Sequence, residues 1–165
     1  YVIYQYSGSF TPQPVRLTQQ VIERVGDRLT IEVEAVRGDA RRKWRQIVID
    51  RPEARQTDQV AALLEWRDGR FQQVPNSDLF RLLAWTLPEG GGRIELGPTR
   101  RATVELGGVP RDCTVQTGQQ LIGEILTDIE LTTCADFVWG QGPAIARVPG
   151  GEIVWQVAVL DAGGR

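Results

Sequence analysis

Apolar and polar residues alternate along most of the first fifty positions, and this period of two predicts β-strands. The clearest stretch is residues 29–35, where Leu, Ile, Val and Ala alternate with Thr and Glu. Strands are also predicted at 2–10, 15–25 and 44–49, and Gly-Asp pairs at 26–27 and 38–39 mark tight turns between them. Long strands joined by tight turns form a meander, which can leave one face of the sheet in water.

The middle of the chain allows two interpretations. Residues 54–66 have apolar positions that would suit a helix starting near Thr57 or Asp58. The same region also fits a hairpin over 63–74, because Asp68-Gly69 lies between two apolar stretches. An Asp-Gly pair in that setting is a strong local hairpin signal, and we favour the hairpin.

A short helix is predicted at 79–85, after the capping residues at 76–78. Arg81 is its only polar residue, and a helix that is apolar on nearly every side is usually buried. Pro88 and the three glycines at 90–92 end it.

The last seventy residues return to strands. The predicted segments are 93–96, 100–106, 113–117, 124–134, 137–139 and 152–160. The last segment is apolar on both parities, so we expect it to be central in the sheet or covered on both faces. The fold prediction is a single, mainly β domain over residues 1–165. It is a curved antiparallel sheet, in a half-barrel or a sandwich, with one or two short helices.

Composition removes several classes of function. The 165 residues contain no His, so His-based triads, His general bases and His metal ligands are excluded. No motif suggests a catalytic residue, a cofactor or a metal site, and an enzyme is only the third choice. The net charge of −2 weighs against non-specific nucleic-acid binding, which needs a basic face. No apolar run approaches the roughly 20 residues of a membrane-spanning helix.

Met is absent, even at position 1, and the chain contains two cysteines. Removal of an export signal upstream of Tyr1 would explain the missing Met, and so would a cut from a longer chain. Cys113 and Cys134 are too few for a zinc site. They are either buried thiols or one structural disulfide, and an exported protein favours the disulfide.

The spacing of the two cysteines provides a test. A tight hairpin at 118–123 would place Cys134 roughly 20 Å along its strand from the position opposite Cys113. A disulfide would then require a long hairpin loop, or a strand end that folds back over the sheet.

Two groups of residues are candidates for binding. The apolar helix and nearby tryptophans, packed in the concavity of a curved sheet, would form a ligand pocket, or they could simply be part of the core. Its predicted residues are Leu79, Phe80, Leu83, Trp85, Trp139 and Trp155. The basic cluster of Arg41, Arg42, Lys43 and Arg45 could hold an anionic partner, or it could be a solvated strand end.

The layout of residues 2–49, 76–88 and 124–160 resembles exported bacterial half-barrel proteins, which include the lipoprotein carriers of the periplasm. No N-terminal helix precedes the first predicted strand, which departs from the carriers. The resemblance implies an apolar cavity for acyl chains and no catalysis. The expected function is a noncatalytic exported module that binds an apolar or acylated ligand. The alternative is an accessory subunit that docks on a larger cell-envelope or extracellular assembly. The expected location is periplasmic, outer-membrane-associated or extracellular.

Overall fold

The computed structural model describes residues 1–50, 60–88, 91–137 and 140–164, and their strands form one open antiparallel sheet. The twelve strands of these described ranges are β1 (Val2–Ser7), β2 (Val15–Val25), β3 (Arg28–Arg37), β4 (Ala40–Ile49), β5 (Val60–Arg67), β6 (Arg70–Val74), β7 (Gly91–Leu96), β8 (Arg100–Leu106), β9 (Val109–Ile122), β10 (Ile125–Cys134), β11 (Gln141–Arg147) and β12 (Ile153–Ala162). The predicted mainly β fold with an antiparallel sheet is confirmed. The sandwich alternative would need two sheets, whereas the described strands form one.

The strands are ordered β6-β5-β4-β3-β2-β1-β12-β11-β10-β9-β7 across the sheet. The first and last strands pair with each other in the middle, with Tyr6 opposite Val157. β12 therefore lies between β1 and β11. This confirms the central position that was expected because apolar residues occupy both faces of this strand. The long strand β9 pairs with β8 along its first half and with β7 along its second half.

From β1 to β5, the core lies on one face of the sheet. Five neighbouring strands each contribute a side chain that is at most 1% exposed, namely Tyr4, Leu17, Val33, Trp44 and Leu63. The register places these residues on the same face, because Tyr4 lies opposite Leu17 and Val33 lies opposite Trp44. Alternation along the strands sends intervening polar residues such as Glu32 and Arg45 to the other face.

The middle of the chain forms the hairpin of β5 and β6, with Leu63 opposite Val74. Its turn is Asp68-Gly69, and both residues have positive φ, at 51° and 79°. That conformation is typical of a type I′ hairpin turn and explains the Asp-Gly signal. Residues 60–66 of the alternative helix are strand, and 54–59 lie outside the described residues.

The helical segment consists of a 3-10 turn at Asn76–Asp78 followed by α1 (Leu79–Leu83). The expected burial on all sides is wrong. Leu82 is fully buried, but Phe80 on the same helix is 77% exposed. The helix has only five residues and packs against one face of the sheet. Its other side is therefore exposed to solvent. Asn76 does not cap the turn, because its amide donates to the carbonyl oxygen of Val60 on β5 instead, at 2.6 Å.

Cys113 and Cys134 form a disulfide, with their Cα atoms 4.3 Å apart. The expected hairpin at 118–123 is wrong in position. β9 continues through Gly118 to Ile122, and the turn is Gly123-Glu124. Moving the turn toward the C-terminal end of that segment places the two cysteines directly opposite each other, so neither a long loop nor a folded-back strand is needed.

The predicted strand at 137–139 is also wrong at Phe137, which lies in a turn and packs into the core at 4% exposure, while 138–139 lie outside the described residues. Strand β11 follows instead and had not been predicted. Its sequence does not predict a strand, because it contains Gly142 and Pro143, and glycine and proline are depleted in strands. It nevertheless pairs with β10 and β12 on its two sides.

Candidate ligand-binding site

A cavity of about 510 Å³ lies between the core face of the sheet and the helical segment. Its volume is within the range of pockets that hold small molecules. The sheet supplies a floor, and the floor residues are Tyr6, Leu17, Gln19, Gln46, Val60 and Gln141. The helical segment and the residues after it supply a roof, and the roof residues are Asn76, Leu79, Phe80, Leu83, Thr86 and Leu87. The exposed Phe80 and Leu87 mark its solvent side.

The floor and the roof differ in chemistry. Leucine and phenylalanine dominate the roof, whereas three glutamine amides and a tyrosine hydroxyl belong to the floor. None of the described lining residues carries a charge. The site therefore presents an apolar surface opposite a neutral polar one.

Two buried tyrosines fix the β11 end of the floor. The hydroxyl of Tyr4 donates to the backbone carbonyl of Gln141 at 2.9 Å, and that of Tyr6 donates to the Gln141 side-chain oxygen at 3.4 Å. Burial raises the pKa of both hydroxyls above the ordinary tyrosine value. Both groups therefore stay protonated and act as donors at neutral pH.

Gln46 is the exceptional residue of the floor. It follows Trp44 and precedes Val48 on the core-facing parity of β4, and it is only 3% exposed. Its neighbours across the two adjoining strands are Ile31 and Leu63, which are apolar and buried. Among the described residues, none pairs with its side-chain oxygen.

The roof is tied to the sheet by polar contacts at both ends. Arg81 on α1 pairs with Glu65 on β5 at 2.7 Å, and this hydrogen bond lowers the pKa of the Glu65 carboxyl. At the other end, the indole of Trp155 donates to the carbonyl oxygen of Thr86 at 3.0 Å. Between them, Leu82 is completely buried against the core. Helix propensity alone would not hold five residues in place, so these contacts position the roof.

The predicted pocket residues separate into groups. Leu79, Phe80 and Leu83 line the cavity. Trp155 does not line it, but anchors its roof through Thr86. The ring of Trp85 lies outside, with the guanidinium groups of Arg37 and Arg42 at 4.6 and 4.0 Å from its centre. Trp139 lies outside the described residues.

Sequence reasoning missed the floor. Tyr6 and Leu17 look like ordinary strand residues, and Gln19 and Gln141 have no pattern that distinguishes them. Gln46 carried a readable signal, because it is a polar residue at an apolar parity between Trp44 and Val48.

The predicted basic patch is divided by strand alternation. Arg41, Lys43 and Arg45 lie on the outer face, whereas Arg42 lies on the core face beside the roof. Lys43 and Arg45 both pair with Glu32, at 2.7 and 2.9 Å, and Arg41 pairs with Glu34 at 3.2 Å. Burial raises the pKa of Glu32, but the hydrogen bonds from the two cations outweigh it, so the pKa lies below the usual value. An anionic partner for this patch stays a prediction.

Two further observations concern other kinds of site. Within the described ranges, no three side chains of the types that bind metals come together. No helix of those ranges has the length and apolar character needed to cross a membrane.

No protein-family model and no curated protein matches the chain. Two solved structures are similar over 99% of its length. MucB has 13% identity and a TM-score of 0.43, and the chain covers 54% of MucB. A protein assigned as exported, with a YmcC-like fold, from Bacteroides fragilis has 5% identity and a TM-score of 0.44, and the chain covers 94% of it. Similarity this low carries no functional argument, so the cavity itself must carry the proposal.

Proposed function

We propose that the protein is a noncatalytic binding module that holds an apolar or acylated ligand between the sheet and the helical segment. The observation that carries this proposal is the cavity of about 510 Å³ with an apolar roof and no charge among its described lining residues. Burial of each ligand methylene contributes about 0.8 kcal/mol, so a short alkyl chain against this roof would supply useful affinity.

The Cys113–Cys134 disulfide supports an exported location for this module. Disulfides persist in the periplasm and outside the cell, and they are rare in the reducing cytosol. We therefore propose a periplasmic, outer-membrane-associated or extracellular ligand-binding role.

Titration with N-phenyl-1-naphthylamine tests the proposed binding, because this neutral fluorophore brightens in apolar surroundings. We expect saturable binding with one site per chain. Phe80→Ala should weaken it by about ten- to a hundredfold, since burial of a Phe side chain against a ligand contributes roughly 1.5–3 kcal/mol. The 77% exposure of Phe80 means that this substitution should leave the fold intact.

Leu126→Ala is the matched control, because Leu126 is 50% exposed and does not line the cavity. Its affinity for the fluorophore should equal that of the unmodified protein. Fluorescence that rises without saturation, or an equal loss in both variants, would refute binding in the cavity.

A second function is favoured by a different surface. Ile125 near the turn of β9 and β10 is 50% exposed, and Ile94 and Leu96 on neighbouring β7 are each 43% exposed. The register places these three residues on the same face of the sheet. Grouped exposed apolar residues of this kind often mark protein interfaces. We propose docking on a larger protein assembly through this surface as the alternative function.

A further inference from the structure

Gln46 stands at a position that the fold would fill best with an apolar side chain. It lies on the buried face of β4, between two core residues of the same strand and between two apolar neighbours across the sheet. Cross-strand neighbours Ile31 and Leu63 have no side-chain hydrogen-bond donor to offer. A polar residue that breaks a local pattern in this way commonly marks a functional position.

The side-chain oxygen of Gln46 is buried and has no hydrogen-bond partner among the described residues. A buried acceptor without a donor destabilises a protein, whereas an apolar residue of the same shape would not. The Tyr6 hydroxyl of the floor donates to Gln141. The indole nitrogen of Trp44, on the same face of β4, is a second buried group without a hydrogen-bond partner, and it does not bond to Gln46. The cavity can supply the missing donor, since Gln46 forms part of its floor.

We infer that the ligand is a neutral amphiphile that brings an N–H or O–H donor to Gln46 and lays its apolar part against the roof. This inference rests on the proposed binding function and specifies its ligand class. A neutral amide or alcohol fits better than an ammonium group, because the described lining residues carry no carboxylate. The carboxamide can also rotate to present its own donor, so a secondary amide could both give and accept a hydrogen bond here.

Two matched amphiphiles test the donor requirement. N-methyldodecanamide has one N–H donor, and N,N-dimethyldodecanamide has the same chain and carbonyl but no donor. Each is titrated calorimetrically into the folded protein below its micelle concentration. We expect the secondary amide to bind at least about tenfold more tightly, because a buried acceptor left unpaired carries most of its desolvation penalty.

Gln46→Met then identifies the residue responsible. Methionine keeps the length of the side chain but lacks the amide. The two amphiphiles should therefore bind this variant with about equal affinity. The variant should melt at the same temperature or higher, because an unpaired buried acceptor has been removed. Gln20→Met, at an exposed position of β2 that does not line the cavity, is the control and should keep the preference.

The possible outcomes distinguish a failure of this inference from a failure of the proposed binding function. Equal binding of both amides to the unmodified protein would overturn the donor requirement and leave the cavity as a purely apolar site. A preference that persists in Gln46→Met would also overturn it, by showing that the extra methyl group is excluded on size. If neither amide binds, the proposed function fails together with the inference.

Discussion

Leu82→Ala should lower the free energy of unfolding by about 2–5 kcal/mol, the usual range when a leucine is truncated in a core. Leu82 is fully buried and is the residue of α1 that packs completely into the main cluster. The helix is too short to be stable alone, so this contact holds the roof of the cavity on the sheet. We therefore expect fluorophore binding to weaken as well.

Phe80→Ala is the matched control for stability, because it truncates a large apolar residue of the same helix that is 77% exposed. Urea denaturation followed by tryptophan fluorescence would measure both variants. A Leu82 variant that matches the Phe80 variant in its unfolding midpoint would contradict the view that Leu82 anchors the roof.

Replacement of both cysteines by serine should lower the free energy of unfolding by roughly 3 kcal/mol, because the disulfide restricts the conformations of the unfolded chain. The bridge closes a loop with a sequence separation of 21, and it links the far end of β10 to β9, away from their turn. Without it, that end of the hairpin is held by strand pairing and by the packing of the cysteine neighbours alone. The cavity residues lie elsewhere, so ligand affinity should change little.

Denaturation with and without a thiol reductant checks this prediction. Reductant should lower the unfolding midpoint of the unmodified protein to that of the Cys113→Ser/Cys134→Ser variant. It should have no effect on the variant itself. An unmodified protein whose midpoint ignores complete reduction would show that the bridge contributes no stability.

The strands of the first half of the fold follow closely from the sequence. Alternation from Leu29 to Ala35 and the turn at Asp68-Gly69 are local signals, and both match the structure. Register in the second half does not follow, because Gly118 reads as a turn residue but lies inside β9. A side chain there would meet the backbone of Glu95 on β7, so the glycine serves a close strand contact rather than a turn.

The candidate site, like the fold, could be predicted only in part from the sequence. Its roof was predictable in part, because the helix concentrates apolar residues such as Leu79 and Leu83 in a few positions. Its floor depends on which strands become neighbours, and Gln46 and Gln141 are brought to one cavity only by the pairing of β1 with β12. Trp85 was expected in the pocket as part of the apolar helix, and Trp155 as a nearby tryptophan. In the structure, Arg42 lies over the Trp85 ring and the Trp155 indole donates to Thr86, and neither ring lines the cavity.

The measurement that tests the account most directly is photolabelling with a dodecanoyl N-methylamide that carries a diazirine in its alkyl chain. The labelled chain is digested with trypsin, and fragmentation of the peptides locates the modified residues. Cleavage at Arg70, Arg81 and Arg93 separates the roof into peptides 71–81 and 82–93. We predict labels on these two peptides, at Leu79, Phe80 and Leu83, and loss of the labels when unlabelled amide is in excess. Labels concentrated on residues 121–126 instead would show that the exposed hairpin, and not the cavity, binds apolar molecules.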